Sequence, residues 1–467
     1  LQACCQNLSQ ARAIVEELFP SSAPTPMETG SPIDVAVARL SQELIDDFPA
    51  SDPRWAESVP QDSASTTSSL ILLHQLGDKM KAHDHLLTFL KNVGIWERLH
   101  SVVVRDNPLT THLLLCEHAE KLAAAMSLRS HHTMYPNLID GAISKVLQKR
   151  GGSVPPTGLT PQDVFYREVS GIHEIIENLV EQEKDVLSTE LTPADSVSII
   201  SNINTVIQGM LKEAWQLRQS KALVYQSLNG AATRFMSHYI PWTASTGPKG
   251  IHAILVQQHR VTVEHGVPNA EDVQSRGALY QQVMELTDLM LEGYVTQLES
   301  IGVAAGTDSA LYQELEHTYQ QERRALIMPL LDQGQYERAA SLAEKYCDFG
   351  LLVSLCEATD NEERLQRYMN QFATKGFSDF VFKYYMDEGK RGKLLSQQFS
   401  QHAELSQFLQ AHDHLSWLHH VQVKDYPRAQ ETLKRLSAKE TLSLAKKKTL
   451  LSLSKLTALA CDDVPEA

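Results

Sequence analysis

Arg324-Ala-Leu-Ile-Met-Pro-Leu-Leu-Asp-Gln-Gly-Gln-Tyr-Glu-Arg-Ala-Ala-Ser-Leu-Ala-Glu-Lys-Tyr346 is the stretch that decides how this chain folds. Apolar side chains on either side of Gly334 fall at helical spacing, and the glycine supplies a turn between them. Ala339 and Ala340 leave room for a neighbouring helix to approach closely. The passage therefore predicts an antiparallel helix pair. Ninety residues further on, Tyr426-Pro-Arg-Ala429 repeats its Tyr-x-Arg-Ala core, and Glu363-Arg-Leu-Gln-Arg-Tyr368 and Lys390-Arg-Gly-Lys-Leu-Leu395 open similar amphipathic units. Self-similarity at about 27 to 35 residues is what stacked helix pairs produce, because each pair has an apolar face that only its neighbours can bury. The expected fold is all-α: an irregular elongated α-helical solenoid of stacked antiparallel helix pairs.

Helical periodicity extends on both sides of that passage. Between Tyr166 and Leu187 the apolar positions Val169, Ile172, Ile176, Leu179 and Val180 keep one face while Glu174, Glu177, Glu181 and Lys184 fill the other. Thr192-Pro-Ala-Asp195 reads as a helix start, with proline at the first helical position. After it Val197, Ile200, Ile203, Ile207, Leu211, Ala214 and Leu217 stay in register over about six turns. Ala278 to Leu298 behaves alike. Ile254 to Val263 is the one stretch with a β-branched tendency, and no Asn-Gly or Asp-Gly hairpin separates alternating runs. Pro, Gly and Ser cluster at 20–32, 49–69, 149–162, 241–250 and 302–308, with Ser63 to Ser69 expected as a disordered tip. Residues 1–375 are read as a central helical stack and 376–467 as a C-terminal, partner-docking segment. Lys375-Gly376 and Gly389-Lys-Arg-Gly392 suggest a hinge near 375–395.

Composition narrows the function classes. At 467 residues with 42% hydrophobic content the chain has material for a sizeable core. A formal charge of -15 argues against wrapping nucleic acid, which needs concentrated Lys and Arg, and favours a basic partner. The six cysteines form no C-x-x-C pair, which fits a reducing compartment. No apolar run approaches the length needed to span a bilayer, and no signal peptide is recognisable, so no membrane contact is expected. The chain starts at Leu1 and stops at Asp462-Asp-Val-Pro-Glu-Ala467, just after a helical pattern, and so reads as a piece of something longer.

Catalytic chemistry finds no foothold. His173-Glu-Ile-Ile-Glu177 follows a zinc-protease helix until Glu177 stands where the second histidine belongs, and it reads as a solvated helix face. His412 and His414 lie about 200° apart on a helix and cannot aim at one ion. Ala82-His-Asp-His-Leu86 and Ala411-His-Asp-His-Leu415 are identical, which reads as a coincidence of ordinary helix surface. Gly389-Lys-Arg-Gly-Lys393 lacks the strand that a phosphate-binding loop needs, and Lys446-Lys-Lys448 reads as a solvated turn. No enzyme, cofactor or metal is expected.

A partner surface is better supported. Leu395, Phe399, Leu405, Phe408, Leu409, Leu415, Trp417 and Leu418 crowd one segment and fall on more than one helical face. They are either core between successive helices or anchors for another protein, and Trp with Leu or Phe is the side-chain set that helical interfaces use. Phe408, Leu409, Leu415, Trp417 and Leu418 are the candidate partner-binding residues.

Ile139-Asp-Gly-Ala-Ile-Ser-Lys-Val-Leu-Gln-Lys-Arg150, Leu159-Thr-Pro-Gln-Asp-Val-Phe-Tyr-Arg-Glu-Val-Ser170, the Arg324–Tyr346 passage and Phe408-Leu-Gln-Ala-His-Asp-His-Leu-Ser-Trp-Leu418 carry a family resemblance. From about residue 138 onward the chain resembles the helical region of the one-hundred-and-thirty-three-kilodalton family of scaffold nucleoporins in the Y-shaped outer-ring complex of the nuclear pore. The resemblance implies an architectural protein of the nuclear envelope that also visits kinetochores in mitosis and supports pore assembly, mRNA export and protein transport. Family members carry an N-terminal β-propeller with a membrane-curvature sensor, which this chain does not contain. It also implies tail-to-tail docking with the one-hundred-and-seven-kilodalton nucleoporin through the segment holding Phe408, Leu409, Leu415 and Leu418, with no direct nucleic acid. Cys461 to Ala467 departs from the helical continuation the family has, so the partner surface is expected to be incomplete. A vesicle-coat or tethering solenoid would share the same helical architecture.

Overall fold

Gly334 takes a left-handed backbone (φ 72°), and the Gln335 N–H reaches back to the Leu330 carbonyl at 2.8 Å, so one helix ends and another begins where the sequence requires it. The computed structural model describes residues 7–18, 32–46, 73–99, 109–151, 160–189, 191–221, 239–396 and 402–462. Among these residues every regular element is helical, and the fold is the expected all-α helical stack. The tip at Ser63 to Ser69 lies outside the described residues, as does Phe399. Packing divides the chain between Arg338 and Ala339.

The first unit contains α1 (Leu8–Leu18), α2 (Pro32–Asp46), α3 (Leu73–Val93), α4 (Thr111–His132), α5 (Pro136–Lys149), α6 (Pro161–Arg167), α7 (Glu174–Leu187), α8 (Pro193–Ser220), α9 (Ile251–Val261), α10 (Val273–Ala305) and α11 (Ala310–Asp332). Its packing is not sequential: α4 lies along α8, α2 and α3 lie against α4, and α5 pairs with α7. The α8 register is as read. The Thr192 hydroxyl caps the helix by accepting the Asp195 N–H at 3.1 Å, and Ile200, Ile203, Ile207, Leu211 and Ala214 are all buried. Burying each of the larger ones stabilises the fold by about 1.5–3 kcal/mol. Lys79, 3% exposed, joins two helix ends by donating to the carbonyls of Ile45 at 2.6 Å and Arg167 at 3.3 Å.

Two local readings change. The periodic stretch from Tyr166 to Leu187 is broken, with α6 ending at Arg167, a 3-10 turn over Val169–Gly171 and α7 starting at Glu174. Arg150 fixes the bend by donating to Glu174 at 2.9 Å, Glu168 at 2.6 Å and the Gly171 carbonyl at 3.3 Å. The β-branched stretch Ile254 to Val263 is α9 followed by a π-helical turn, Thr262–Gly266. Buried polar side chains on neighbouring helices hold that turn, so tertiary contacts override the local strand preference.

From α12 (Tyr336–Lys345), which crosses into the second unit, the chain is a regular series. It runs through α13 (Phe349–Ala358), α14 (Glu362–Gln371), α15 (Phe377–Asp387), α16 (Arg391–Ser396), α17 (His402–Leu409), α18 (Asp413–Gln422), α19 (Tyr426–Lys439) and α20 (Leu444–Asp462). From α13 onward most of these helices pack on the next one, and α15 also meets α13 and α17, which is how a solenoid is built. The turns repeat one device. Cys347, Asp360 and Lys424 all have positive φ, at 54°, 47° and 61°, and a residue after each closes the helix end. Asp348, Asn361 and Asp425 donate their N–H groups to the carbonyls of Ala343, Cys356 and His420 at 2.8–3.0 Å. The same three side chains then cap the next helix, accepting the N–H groups of Leu351, Arg364 and Arg428. Gly376 and Gly389 serve as left-handed turns at 77° and 70°. The break expected at 375/376 falls at the first of these. Phe349 and Phe377 meet edge-on at 5.1 Å across it, and Phe372 and Phe377 lie 6.2 Å apart, so packing continues through the glycine.

Candidate partner-docking surface

His412 breaks the segment of the candidate anchors into α17 and α18, two helices that pack on each other. Leu409 is fully buried and Leu415 is 6% exposed, so both belong to the unit's own core. Phe408 is half-buried against Phe382, with ring centroids 5.6 Å apart. Trp417 is half-buried and Leu418 is exposed. The five residues do not form one surface: two face inward, and three keep some access to solvent. Asp413 anchors the start of α18 by accepting from Arg435 at 2.6 Å and Lys439 at 2.8 Å on α19, and the Arg435 guanidinium holds its carboxyl below the usual range. In the other copy of the same pentapeptide, Asp84 lies mid-helix on α3 and takes Lys221 at 2.9 Å. The two copies therefore sit in different backbone settings.

The remaining sequence candidates stay structural. His173 precedes α7 and lies beside Trp242, with ring centroids 6.3 Å apart, while Glu177 is within ion-pair reach of Lys249 at 3.3 Å. Lys390 and Lys393 flank the Glu357 carboxylate at 2.9 and 3.7 Å, tying the Gly389 turn to α13. Among the described residues no group of three or more His, Cys, Asp or Glu could hold a metal, and no helix is long and apolar enough to cross a membrane.

The strongest surface feature escaped the local reading. On α20 the side turned to α19 carries Ser454, 3% exposed and bonded to the Gln430 carbonyl at 3.4 Å, and Thr457, 9% exposed. Four of its six leucines point the other way: Leu444, Leu451, Leu456 and Leu459 are exposed, as is Leu442 in the preceding turn, while Leu450 and Leu453 are half-buried. At about 100° per residue the four helix leucines share one flank with Lys448 and Lys455. A helix that keeps four leucines outward while Ser454 and Thr457 face its neighbour is built for a second contact. The visible sign was Leu at 444, 451 and 459 interleaved with lysines, which a short charge run had masked.

Charge is also divided. Residues 339–467 hold seventeen Lys and Arg against seventeen Asp and Glu, so the formal charge of -15 resides wholly in residues 1–338. Residues 424–455 hold nine basic side chains against three acidic ones. The leucine face thus stands in a basic field, which suits an acidic partner rather than the basic one that the overall charge suggested.

A family model described as non-repetitive/WGA-negative nucleoporin C-terminal matches residues 271–463. The chain is 48% identical over its whole length to nuclear pore complex protein Nup133 of Danio rerio, covering 40% of that protein. It is 47% identical over 99% of its length to Nup133 of Homo sapiens, covering 39%, and 30% identical over 97% of its length to Nup133 of Drosophila melanogaster, covering 38%. The chain thus spans about two-fifths of the length of these relatives. An all-α stack, closely spaced helix turns and identity sustained from end to end place it together with them: over its whole length the chain is similar to the Nup133 nucleoporins of the nuclear pore.

Proposed function

We propose that this chain is an architectural part of the nuclear pore outer ring, holding neighbouring scaffold nucleoporins by helix-on-helix packing and so supporting pore assembly, mRNA export and protein transport. Its docking segment is 376–467, and the partner is the one-hundred-and-seven-kilodalton nucleoporin. Kinetochore association in mitosis follows from the same complex. The observation that carries the reading is the outward leucine face of α20, exposed at Leu451, Leu456 and Leu459 and bordered by lysines. Leucines of this kind, already about half covered, gain roughly half of the ~1.5–3 kcal/mol of a full burial when a partner covers them. Phe408, Trp417 and Leu418 are the sequence candidates that keep access to solvent, and they extend the same segment. Relatives named as pore proteins favour this reading over a vesicle coat.

The test is capture of that nucleoporin by the full chain. Leu451→Glu with Leu459→Glu is expected to abolish capture while leaving the far-ultraviolet circular dichroism unchanged, and Lys448→Glu with Lys455→Glu to weaken it most at low salt. Undiminished capture by the leucine variant would remove α20 from the interface.

A further inference from the structure

A layer of polar side chains crosses the interior of the first unit between α7, α8, α9 and α10. The Gln258 amide donates to Glu183 and to Asn204, each at 2.9 Å, and Asn204 donates to Thr262 and Gln282, each at 3.0 Å. The Thr262 hydroxyl returns to the Gln258 carbonyl at 2.8 Å. Thr262 is the first residue of the π-helical turn, so the layer seats that turn. Glu183 is its one ionisable member and is 1% exposed, while Asn204, Gln258 and Thr262 are fully buried.

A buried carboxylate needs a counter-charge, and among the described residues none faces this one. On α5, Lys145 pairs with Asp185, and Lys149 with Glu177 and Glu181. Arg150 is held by Glu168 and Glu174, and Lys249 reaches Glu177. On α8, Arg218 is paired with Glu120, and Asp195, Lys212 and Glu213 are exposed. On α9, His252 pairs with Glu322, and His259 bonds to the backbone at Leu326. Arg260, Glu264 and His265 are exposed. The Gln258 amide is the only donor to the carboxyl among the described residues.

We propose that Glu183 is a protonation switch for the π-helical turn: while its carboxyl is neutral the polar layer stays shut, and when it ionises water enters and the turn over Thr262–Gly266 is released. Burial pushes the carboxyl up to about 7, with the Gln258 hydrogen bond opposing, so the change falls in the range a cell uses. The π turn is the part of the unit that gives way, because its hydrogen-bonding is already irregular and its anchor is Thr262.

Amide hydrogen exchange on the full chain at pH 6 and pH 8.5, corrected for the intrinsic rate, tests this. Protection of residues 258–266 is expected to fall about tenfold in the wild type and to stay constant in Glu183→Gln. An equal fall in both proteins, or none in the wild type, overturns the proposal. The carboxyl carbon of Glu183 in labelled wild-type protein gives a second reading that needs no variant. Titration near neutrality supports the switch, and titration near 4.5, the ordinary glutamate value, overturns it.

Discussion

Arg218 grips Glu120 with two parallel hydrogen bonds, Nε to Oε1 at 2.9 Å and Nη2 to Oε2 at 2.6 Å, while their side chains are only 7% and 0% exposed. The Trp242 indole N–H adds a third bond to Oε2 at 3.0 Å, so α4, α8 and the 3-10 turn Trp242–Ala244 converge on one carboxylate. Such a pair contributes little beyond an apolar replacement, but breaking it strands a buried charge. Arg218→Met is expected to lower unfolding stability by about 3–5 kcal/mol. Arg218→Met with Glu120→Leu should recover much of that loss. Urea unfolding of the three proteins checks this, and a double variant no better than the single one would contradict it.

Acid stability should be set by histidines rather than by ion pairs. His83, His118 and His259 are fully or nearly fully buried, and burial lowers His83 and His259 to about 4 and His118 to about 3. Below pH 6.5 the unfolded chain binds protons that the folded chain refuses, so stability is full above 6.5 and is lost as pH falls from there towards 4. Circular dichroism melts from pH 7.5 to 4.5 should show a falling midpoint that flattens when His83 and His259 are replaced by Gln and Leu respectively.

Left-handed turns give opposite predictions at two helix ends of the second unit. Lys424 adopts φ 61°, a conformation that costs a residue with a Cβ about 1–2 kcal/mol, partly offset by the extra unfolded-state freedom of glycine. Lys424→Gly should therefore stabilise the second unit by about 0.5–1 kcal/mol. Gly376→Ala, at φ 77° with open space around the added methyl, should destabilise it by about 1 kcal/mol from strain alone. Chemical unfolding curves for the two variants should move in opposite directions.

What the sequence made legible was whatever depends on neighbours a few residues away. The α8 register, the Thr192 cap and the Gly334 turn rest on spacing and local backbone chemistry, and all three are present. The break between α6 and α7 was not legible because it is held by Arg150, 24 residues before Glu174. The non-glycine turns at Cys347, Asp360 and Lys424 gave no signal, since their only mark is an Asp or Asn one position later. At the candidate surface, the apolar stretch from Leu405 to Leu418 is two short helices, so what looks like two faces of one helix includes two ordinary inward faces. Leu451, Leu456 and Leu459 look unremarkable in a leucine-rich helix until the structure places Ser454 and Thr457 on the inner side.

Leu415 and Leu418 are three residues apart on α18 and separate folding from docking. Leu415 is 6% exposed and packs within the second unit, whereas Leu418 is 38% exposed. A charge at 415 would be buried without a partner, so Leu415→Asp should cost at least about 3 kcal/mol and lower the melting midpoint sharply. Leu418→Asp, at the surface, should change stability by less than about 0.5 kcal/mol. If α18 shares the interface with α20, Leu418→Asp weakens capture of the partner nucleoporin without moving the melt. Loss of capture only in proportion to lost folded protein, for both variants, would confine docking to α20.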